Sequence, residues 1–326
     1  MEFRKFTAGK NDDGRRLDRI LRIFLKDLSL GDIYKLLRKG LIKLNDKKAK
    51  ADSHVNEGDE ISIAEFLFSS SASSSSIKPE IKKNIPDLNI VFENEDLLII
   101  NKPYGKSVHV SEKAIDCGLD KEVLAYYEAK KREMSSASIS FRPGPLHRLD
   151  RNTTGLLVFS MSLKGAHWFS EGIKNHIVQK KYSGLAEGNL STTETWEDRL
   201  SDSEITEEGF HTVSQNASGQ KAITIVKPLA HGLLDQKEVT LVEYTIKTGR
   251  KHQIRAQSKI HKFPLVGDKA YGGHQNKKLK REYYLEAFSL IFPADNPLKL
   301  PEEIKINLSD DFASLLQYCE IKNPGL

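Results

Sequence analysis

A run of serines is the feature that most limits how this chain can fold. Between residues 69 and 76 every residue is serine except Ala72. Such a segment has no apolar surface to bury, and sequences of this composition behave as flexible linkers. A chain of 326 residues is also long enough for about two domains. We therefore predict a small domain over residues 1–66, a linker over residues 67–87 and a larger domain over residues 88–326.

Composition predicts an ordinary globular protein of the cytoplasm. The longest purely aliphatic run covers residues 97–100, which is far too short to span a membrane. The N-terminus MEFRKFTAGKNDDG lacks the apolar centre of a secretory signal. The two cysteines, Cys117 and Cys319, supply neither a disulfide framework nor a metal cluster. We expect a monomer with no membrane partner.

Positive charge is concentrated in the small domain. Residues 15–50 contain twelve basic and four acidic residues, a local net charge of +8, whereas the whole chain carries +5. A basic region of this kind is typical of a nucleic-acid-binding module. Charge alone leaves a second interpretation open, namely a solvated basic face with no partner.

The small domain is predicted to begin with a helix. Leu17, Ile20, Leu21 and Phe24 have the i, i+3, i+4, i+7 spacing of one helical face, and Asp13 precedes them as a candidate cap. This helix would bury its apolar face and present arginines on the other.

A second helix and a hairpin are predicted to follow. Ser29 and Asp32 have the spacing of a capping box, and Gly40 marks the end of the helix. Asn45-Asp46 is typical of a tight turn between two short strands. VNEGDEISI then predicts a final turn and strand.

These segments resemble the S-four-like RNA-binding module, named for the ribosomal protein. The resemblance rests on RLDRIL, LSLGDIYKLLRKGLIKLND and VNEGDEI, and covers most of residues 15–63. Asp46 stands where that family usually has glycine, so we expect a looser turn. A generic basic helical cap remains the alternative. RNA contacts are predicted for eight basic residues: Arg16, Arg19, Lys35, Arg38, Lys39, Lys43, Lys47 and Lys48.

The larger domain is predicted to be a mixed, largely antiparallel α+β domain with flanking helices. LNIVFENEDLLIINKPYG indicates strand, turn and strand, and LLVFSMS, KKYSGLAEG and VEYTIKT indicate further strands. LKGAHWFSEGI and KHQIRAQSKIH have helical spacing. Strands therefore dominate, with helices scattered between them.

Several familiar catalytic motifs are absent from the sequence. HRLD differs from the kinase HRD pattern because Leu149 separates the arginine from the aspartate. No phosphate-binding or dinucleotide-binding glycine loop follows a strand, and two isolated cysteines cannot supply a zinc deaminase signature. We therefore expect a reaction with no cofactor and no metal.

Polar residues are concentrated beside one apolar strand. PLHRLDRNTTGLLVF places His147, Arg148 and Asp150 just before a predicted buried strand. A carboxylate removed from water is costly unless it is paired or functional. The local sequence leaves both possibilities open, because Asp150 could form a structural turn held by Arg148. Similarly, Tyr182 could belong to the core and Arg255 to a solvated helix face.

The larger domain resembles the RluA-type pseudouridine synthases. HRLDRNTTGLLVF, KKYSGLAEG, KTGRKHQIRAQ and FPLVGDKAYGG have the order and spacing of that family's signatures, and INKPYGKSVH and LEAFSLIFP extend the match over about residues 88–293. With the N-terminal module, the chain is most similar to the RluC/RluD-like branch, which acts on large-subunit (23S) ribosomal RNA. The resemblance implies isomerisation of uridine within RNA, without a cofactor.

The resemblance also implies roles for individual residues. Asp150 matches the catalytic aspartate, which attacks the ribose or the base or removes a ribose proton. Arg255 matches an arginine that pairs with this carboxylate. Tyr182 matches an aromatic residue that stacks on the target base and helps to deprotonate it. Arg148 matches the residue that fills the hole left by the extruded uridine, and we expect His147 beside it to contact RNA as well.

Two alternatives and several departures accompany this interpretation. One alternative is a non-catalytic RNA-binding ribosome-assembly factor on the same scaffold, and the other is a synthase acting on transfer RNA. Asn152 and Thr154 replace the family's more common Asp and Ser. Residues 256–258 and Glu286 also depart from the pattern, and we expect them to alter the RNA-facing wall.

Overall fold

The computed structural model describes residues 1–25, 27–69, 86–109, 117–131, 140–205 and 209–322. Most of the predicted linker, residues 70–85, lies outside this range. The chain divides into two compact units. The first comprises Met1–Asp87, Glu122–Gly144 and Ser162–Lys164, and the second comprises Leu88–Lys121, Pro145–Met161 and Gly165–Leu326. In the described ranges, the helices are too short or too polar to cross a membrane.

The N-terminal part of the first unit is a small α+β module. A four-stranded sheet has the order β1-β6-β3-β4, and β2 pairs with β5. The elements are β1 (Phe3–Thr7), β2 (Arg15–Arg16), α1 (Leu17–Phe24), α2 (Leu30–Lys39), β3 (Ile42–Leu44), β4 (Lys47–Lys48), β5 (His54–Val55), β6 (Glu60–Ala64) and α3 (Phe66–Ser69).

Helix α1 has the predicted apolar face but a different start. Leu17, Ile20 and Leu21 are fully buried. The residue before the helix is Arg16, whereas the Asp13 carboxylate accepts a hydrogen bond from the Glu57 amide at 3.0 Å. The predicted Asp13 cap is therefore wrong, because β2 occupies the segment between Asp13 and the helix.

Helix α2 begins and ends where predicted and the hairpin follows, but the capping box is only half formed, because the Asp32 carboxylate accepts from the Ser29 hydroxyl and not from the Ser29 amide. The Ser29 hydroxyl accepts a hydrogen bond from the Asp32 amide at 3.2 Å, and Gly40 ends the helix with a φ of 72°. Asn45 and Asp46 join β3 to β4 as a two-residue turn with φ values of 49° and 58°. Positive φ at both positions is the type I′ geometry of tight hairpins. The looser turn expected at Asp46 is therefore not observed.

The described part of the chain after Asp87 contains one large sheet. Ten strands have the order β12-β11-β13-β14-β10-β15-β9-β8-β7, with β16 paired to β15. All described strand pairs are antiparallel except β15 with β9, so the predicted mixed, largely antiparallel α+β class is confirmed. The elements are β7 (Ile90–Glu93), β8 (Leu97–Lys102), α4 (Leu119–Lys131), β9 (Thr154–Ser160), α5 (Leu163–Lys174), β10 (Gln179–Glu187), β11 (Glu194–Ile205), β12 (His211–Gln215), β13 (Gln220–Leu234), β14 (Lys237–Ile246), α6 (Gln253–Ile260), β15 (Leu285–Ile291), β16 (Glu303–Lys305) and α7 (Asp310–Tyr318).

Strand β9 is an interior strand of this sheet and is buried along its whole length. Its neighbours are β8 and β15. Leu156 and Val158 pack with Phe169 of α5 in one apolar cluster. The loop that enters β9 is therefore attached to a rigid part of the core, which suits a site that must hold its geometry.

Gly155 allows β9 to approach β15 closely. Its φ is +107°, and a Cβ atom built there would lie 2.2 Å from the carbonyl oxygen of Ala287. Side chains other than glycine's rarely adopt such a φ, and this contact leaves no space for one. The glycine of the HRLDRNTTG motif thus fixes where the preceding loop enters the sheet.

Candidate active site

The loop that carries Asp150 is held on both sides through its backbone and its neighbouring side chains. Lys102 Nζ donates a hydrogen bond to the Arg151 carbonyl oxygen at 2.8 Å, and Arg151 Nε donates to the Gly105 carbonyl oxygen at 2.9 Å. The Thr153 amide donates to the Asp150 carbonyl oxygen at 3.1 Å, which closes a tight turn. These contacts fix the backbone at Asp150 and leave its carboxylate to face other elements.

Lys102 is fully buried beneath this loop. Burial lowers the pKa of its ammonium group to about 7, although the nearby Asp150 charge opposes the shift. Its two carbonyl contacts, to Arg151 and Pro103, can be made by the charged or the neutral amine. Lys102 thus supports the Asp150 loop structurally, and the charge of the Lys102 ammonium group is poorly solvated.

Asp150 opens into a cavity of about 330 Å³. This volume is at the lower end of the range for small-molecule sites, roughly 300–1,000 Å³. The cavity, which we call the Asp150 cavity, brings together residues that are far apart in sequence. Its walls include all five site residues predicted for the larger domain, namely His147, Arg148, Asp150, Tyr182 and Arg255.

The Asp150 carboxylate faces one cation and one imidazole. Its Oδ2 lies 3.6 Å from Arg255 Nη1, and its Oδ1 lies 3.8 Å from His252 Nε2. The side chain is 18% exposed. Arg148 is an exposed residue, and the ion pairs of Asp150 within the described part of the chain are those with Arg255 and His252. The alternative of a local turn held by Arg148 is therefore wrong.

Arg255 is held by a different aspartate. Its Nε and Nη2 atoms donate to Asp268 at 2.7 and 2.8 Å, which is a bidentate arrangement. The guanidinium carbon lies 4.8 Å from the centre of the Tyr271 ring and 4.4 Å from that of Tyr283. Arg255 therefore faces Asp150, as the resemblance implied, but with one nitrogen only, because Asp268 occupies the fork.

The charge of Arg255 is secured by this environment. Burial disfavours the guanidinium charge, but the hydrogen-bonded Asp268 carboxylate, Tyr283 and Asp150 outweigh it, so that the pKa of Arg255 is raised. Contacts with two aromatic faces add to the stabilisation of a desolvated cation. A permanent positive charge therefore lies beside the Asp150 carboxylate.

Tyr182 reaches the cavity from β10. Lys181 pairs with Ser289 and Tyr182 with Ala287, so the ladder between β10 and β15 contains a bulge at this point. Bulges of this kind change the direction of a side chain next to a functional site. Tyr182 is 5% exposed, and burial followed by the Asp150 charge raises the pKa of its hydroxyl. The hydroxyl is thus protonated at neutral pH.

His147 and Arg148 occupy different environments in the same loop. Arg148 is exposed at the cavity wall. His147 Nε2 accepts a hydrogen bond from the Val158 amide at 3.2 Å, and its Nδ1 is buried. Burial, with Lys180 nearby, lowers the pKa of His147 to about 3. The ring is therefore neutral and attached to β9, so the RNA contact predicted for it can involve only its carbon edge.

The predicted RNA-binding residues of the small module are mostly exposed. Six of the eight are exposed, and these are Arg19, Lys35, Arg38, Lys39, Lys47 and Lys48. Arg16 and Lys43 are half-buried. Arg16 is paired with Asp18 at 2.7 Å, and Lys43 lies over the Phe3 ring.

Residues that depart from the family pattern contribute to the interior. Glu286 is buried and accepts a hydrogen bond from Arg281 Nη1 at 2.9 Å. Gln257 is also buried, and its Nε2 donates to Asp198 at 2.8 Å. The expectation that these two positions alter an RNA-facing wall is therefore wrong, since both side chains are enclosed by the protein.

Four residues that shape the site were not predicted as site residues, although His252 lies in the KTGRKHQIRAQ motif. Asp268, Tyr271 and Tyr283 surround Arg255, and His252 faces Asp150. Asp268 and Tyr271 lie in the FPLVGDKAYGG motif. The sequence therefore contained the signal for these two residues, but not the fact that both contact Arg255. In the described ranges, no group of three His, Cys, Asp or Glu side chains could hold a metal ion.

Comparison with known proteins gives one family. Residues 96–259 match the RNA pseudouridylate synthase family. The chain is 31% identical to the ribosomal large subunit pseudouridine synthase C of Buchnera aphidicola subsp. Schizaphis graminum, over 80% of this chain and 79% of that protein. It is also 31% identical to the tRNA pseudouridine synthase C of Vibrio cholerae, over 60% of this chain and 79% of that protein.

A solved structure supports the fold. Human RNA pseudouridylate synthase domain containing 4 superposes with a TM-score of 0.57 at 23% identity, covering 73% of this chain and 95% of the human one. At this identity the likeness concerns the fold alone. Together with the matched residues and the relatives, it leads to one conclusion: the chain belongs to the RluA-type RNA pseudouridylate synthases and is an isomerase that modifies RNA.

Proposed function

We propose that this enzyme isomerises specific uridines of large-subunit (23S) ribosomal RNA, with Asp150 as the catalytic carboxylate. The observation that carries the assignment is the meeting of Asp150, Tyr182 and Arg255 in one cavity, although more than a hundred residues separate the first from the last. A role in ribosome biogenesis, a cytoplasmic location and a monomeric state belong to the same proposal.

The reaction requires a carboxylate that stays negative in a partly dry site. The bond between uracil N1 and ribose C1′ breaks, a bond between C5 and C1′ forms, C5 loses a proton and N1 gains one. Asp150 serves this reaction by attacking the ribose, attacking the base or removing a ribose proton. In each case Arg255 Nη1 stabilises the anion at 3.6 Å without occupying both of its oxygens.

Tyr182 is proposed to stack on the uracil ring and to assist proton transfer at C5. Its raised pKa keeps the hydroxyl neutral while Asp150 is charged nearby. Acceptance of a proton at this hydroxyl must therefore be coupled to release of its own proton. Consumption of the Asp150 charge in an earlier step removes one of the two causes of the high pKa and makes this transfer easier.

Arg148 is proposed to replace the uridine in its stack. Extrusion of a base from stacked RNA costs a few kcal/mol, and an arginine plane can recover part of this by occupying the vacant position. The exposed side chain of Arg148 at the cavity wall is suited to that role.

Two features support ribosomal RNA over transfer RNA as the substrate. The ribosomal large subunit relative aligns with 80% of this chain, whereas the tRNA relative aligns with 60%. The chain also carries the basic N-terminal module, whose exposed lysines and arginines are suited to phosphate contacts. A tRNA substrate is the second candidate, favoured only by the equal identity of that relative.

The test is a catalytic variant examined on both RNAs. We expect Asp150→Asn to fold and bind RNA but to form no pseudouridine, while the exposed control Asp310→Asn keeps full turnover. Nucleoside digestion and pseudouridine mapping of ribosomal and transfer RNA, from cells with and without the gene, identify the substrate. Turnover by Asp150→Asn removes this residue from the mechanism, and sites confined to transfer RNA refute the ribosomal assignment.

A further inference from the structure

His252 lies at the start of α6 in an unusual backbone conformation. Its φ is 51° and its ψ is 22°, in the left-handed region, and its side chain forms no capping hydrogen bond with the helix. Histidine tolerates this region better than most residues, but the conformation is uncommon outside glycine. A residue kept in such a conformation beside a catalytic group suggests a functional reason for its side chain.

The imidazole lies in a directed chain of polar contacts. The Val213 amide donates to the Tyr271 hydroxyl oxygen at 2.8 Å. That hydroxyl lies 2.9 Å from His252 Nδ1, and His252 Nε2 lies 3.8 Å from Asp150 Oδ1. This series of contacts therefore connects a backbone amide of β12 to the proposed catalytic carboxylate.

The contacts at the two ring nitrogens favour one tautomer of His252. The Tyr271 oxygen accepts the Val213 hydrogen, and the Tyr271 hydroxyl can donate its own hydrogen to His252 Nδ1. A neutral imidazole has one N–H group, so an Nδ1 that accepts leaves the proton on Nε2. The other tautomer would direct the Nε2 lone pair at the carboxylate of Asp150, which is repulsive.

The ring is neutral when it makes this contact. Burial lowers the pKa of His252 to about 4, and the positive charges of Arg255, Lys251 and Arg148 reinforce the shift, while Asp150 opposes it. At neutral pH the group beside Asp150 Oδ1 is therefore a neutral N–H donor and carries no second positive charge.

We propose that His252 is a positioning residue that orients Asp150 through a neutral Nε2–H group directed at Oδ1, with its tautomer fixed by Tyr271. Arg255 faces Oδ2, so the two carboxylate oxygens have different partners. The separations of 3.6 and 3.8 Å exceed direct hydrogen bonds, and catalytic contacts of this kind commonly shorten when substrate binds. The inference rests on the proposed role of Asp150.

Solution NMR tests the tautomer without reference to activity. The chain contains ten histidines, so ¹⁵N-histidine labelling gives a tractable spectrum, and the signals absent from His252→Gln identify the ring of interest. We expect the shifts of a neutral ring with the proton on Nε2. A proton on Nδ1, or a positively charged ring at neutral pH, overturns the proposal.

Three variants test the positioning role. His252→Asn tolerates the left-handed backbone but is too short to reach Oδ1, and we expect kcat to fall about ten- to a hundredfold, the effect of one hydrogen bond to a charged group. His252→Gln places an amide donor near the Nε2 position and should recover most of that loss. Tyr271→Phe frees the tautomer and should lower kcat about three- to tenfold. RNA affinity should stay within twofold of the wild type.

The double variant gives the decisive comparison. Because glutamine has no tautomer to fix, Tyr271→Phe should have no further effect on kcat in the His252→Gln background. Equal losses from Tyr271→Phe in both backgrounds, or a His252→Asn enzyme with normal kcat, overturn the positioning role. If His252→Asn is normal while Asp150→Asn is inactive, this inference fails and the proposed function stands. Turnover by Asp150→Asn instead removes the proposed catalytic role of Asp150, on which this inference rests.

Discussion

The guanidinium of Arg255 forms two hydrogen bonds with Asp268, at 2.7 and 2.8 Å, and faces Asp150 with its remaining nitrogen at 3.6 Å. Asp268, and not Asp150, therefore fixes the plane of the guanidinium. This division leaves the lone pairs of Asp150 available for a substrate while a positive charge stays beside them.

Asp268→Asn should destabilise the enzyme and reduce its turnover. Removal of one partner from a buried ion pair leaves an uncompensated charge and costs about 3–5 kcal/mol. Both side chains are nearly inaccessible, since Arg255 is 9% and Asp268 1% exposed. Urea unfolding measures the loss of stability. Single-turnover kinetics measure the loss of turnover that follows when Arg255 is no longer aligned.

The matched control for this prediction is Asp235→Asn. Asp235 pairs with Lys278 at 3.0 Å, but both side chains are nearly half exposed. An exposed pair contributes about 0–1 kcal/mol, so this variant should unfold close to the wild type. Equal unfolding free energies for the two variants would contradict the structural role of Asp268.

Tyr182→Phe should separate stacking from proton transfer. The ring remains, so we expect RNA affinity within about twofold of the wild type. The hydroxyl is lost, so turnover should fall by about 10²–10⁴, the usual contribution of a positioned proton-transfer group. Tyr182→Ala should lose RNA affinity as well as turnover. Binding assays and nucleoside digestion measure the two effects, and normal turnover by Tyr182→Phe would leave only the stacking role.

Lys102 should make stability depend on pH in an alkaline range. Its pKa is about 7 in the folded protein and 10.5 for an unperturbed lysine. Between these values the unfolded chain binds more protons, so the free energy of unfolding should rise as the pH increases from about 7 towards 10.5. Urea unfolding at a series of pH values measures this slope.

Lys102→Met isolates this contribution. The variant loses two hydrogen bonds to backbone carbonyls and should be less stable throughout, but its stability should change less between pH 7 and 10.5. Lys180, whose pKa burial lowers to about 8, titrates in both proteins and cancels in the comparison. Parallel pH profiles for the two proteins would show that Lys102 keeps its charge on folding.

The exposed hairpin lysines should contribute to RNA affinity in a salt-dependent manner. Lys47 and Lys48 form the exposed strand β4, and replacement of both by glutamine should weaken RNA binding and reduce the salt slope by about two. Titration of RNA binding over a range of salt concentrations measures both quantities. Lys305→Gln, an exposed substitution in β16, is the control, and an unchanged slope for the hairpin variant would exclude the predicted phosphate contacts.

The sequence predicted well where local chemistry determines structure. Ser29 and Gly40 mark the ends of α2, and Asn45-Asp46 forms the hairpin turn, because caps and tight turns depend on a few adjacent residues. The helix cap predicted at Asp13 was wrong because this carboxylate has a partner far away in sequence, the Glu57 amide. The ordered motifs were sufficient to identify the family, because their spacing spans most of the larger domain.

Only the tertiary structure decided how the motif residues meet. The sequence determined that Asp150, Tyr182 and Arg255 are present, in the right order and in apolar surroundings. It did not determine that Asp268 would occupy the fork of Arg255, or that His252 would face the second oxygen of Asp150. The two contacts depend on the parallel pairing of β9 with β15 and on the position of α6. Both are determined by interactions between residues far apart in the chain, which the sequence does not reveal.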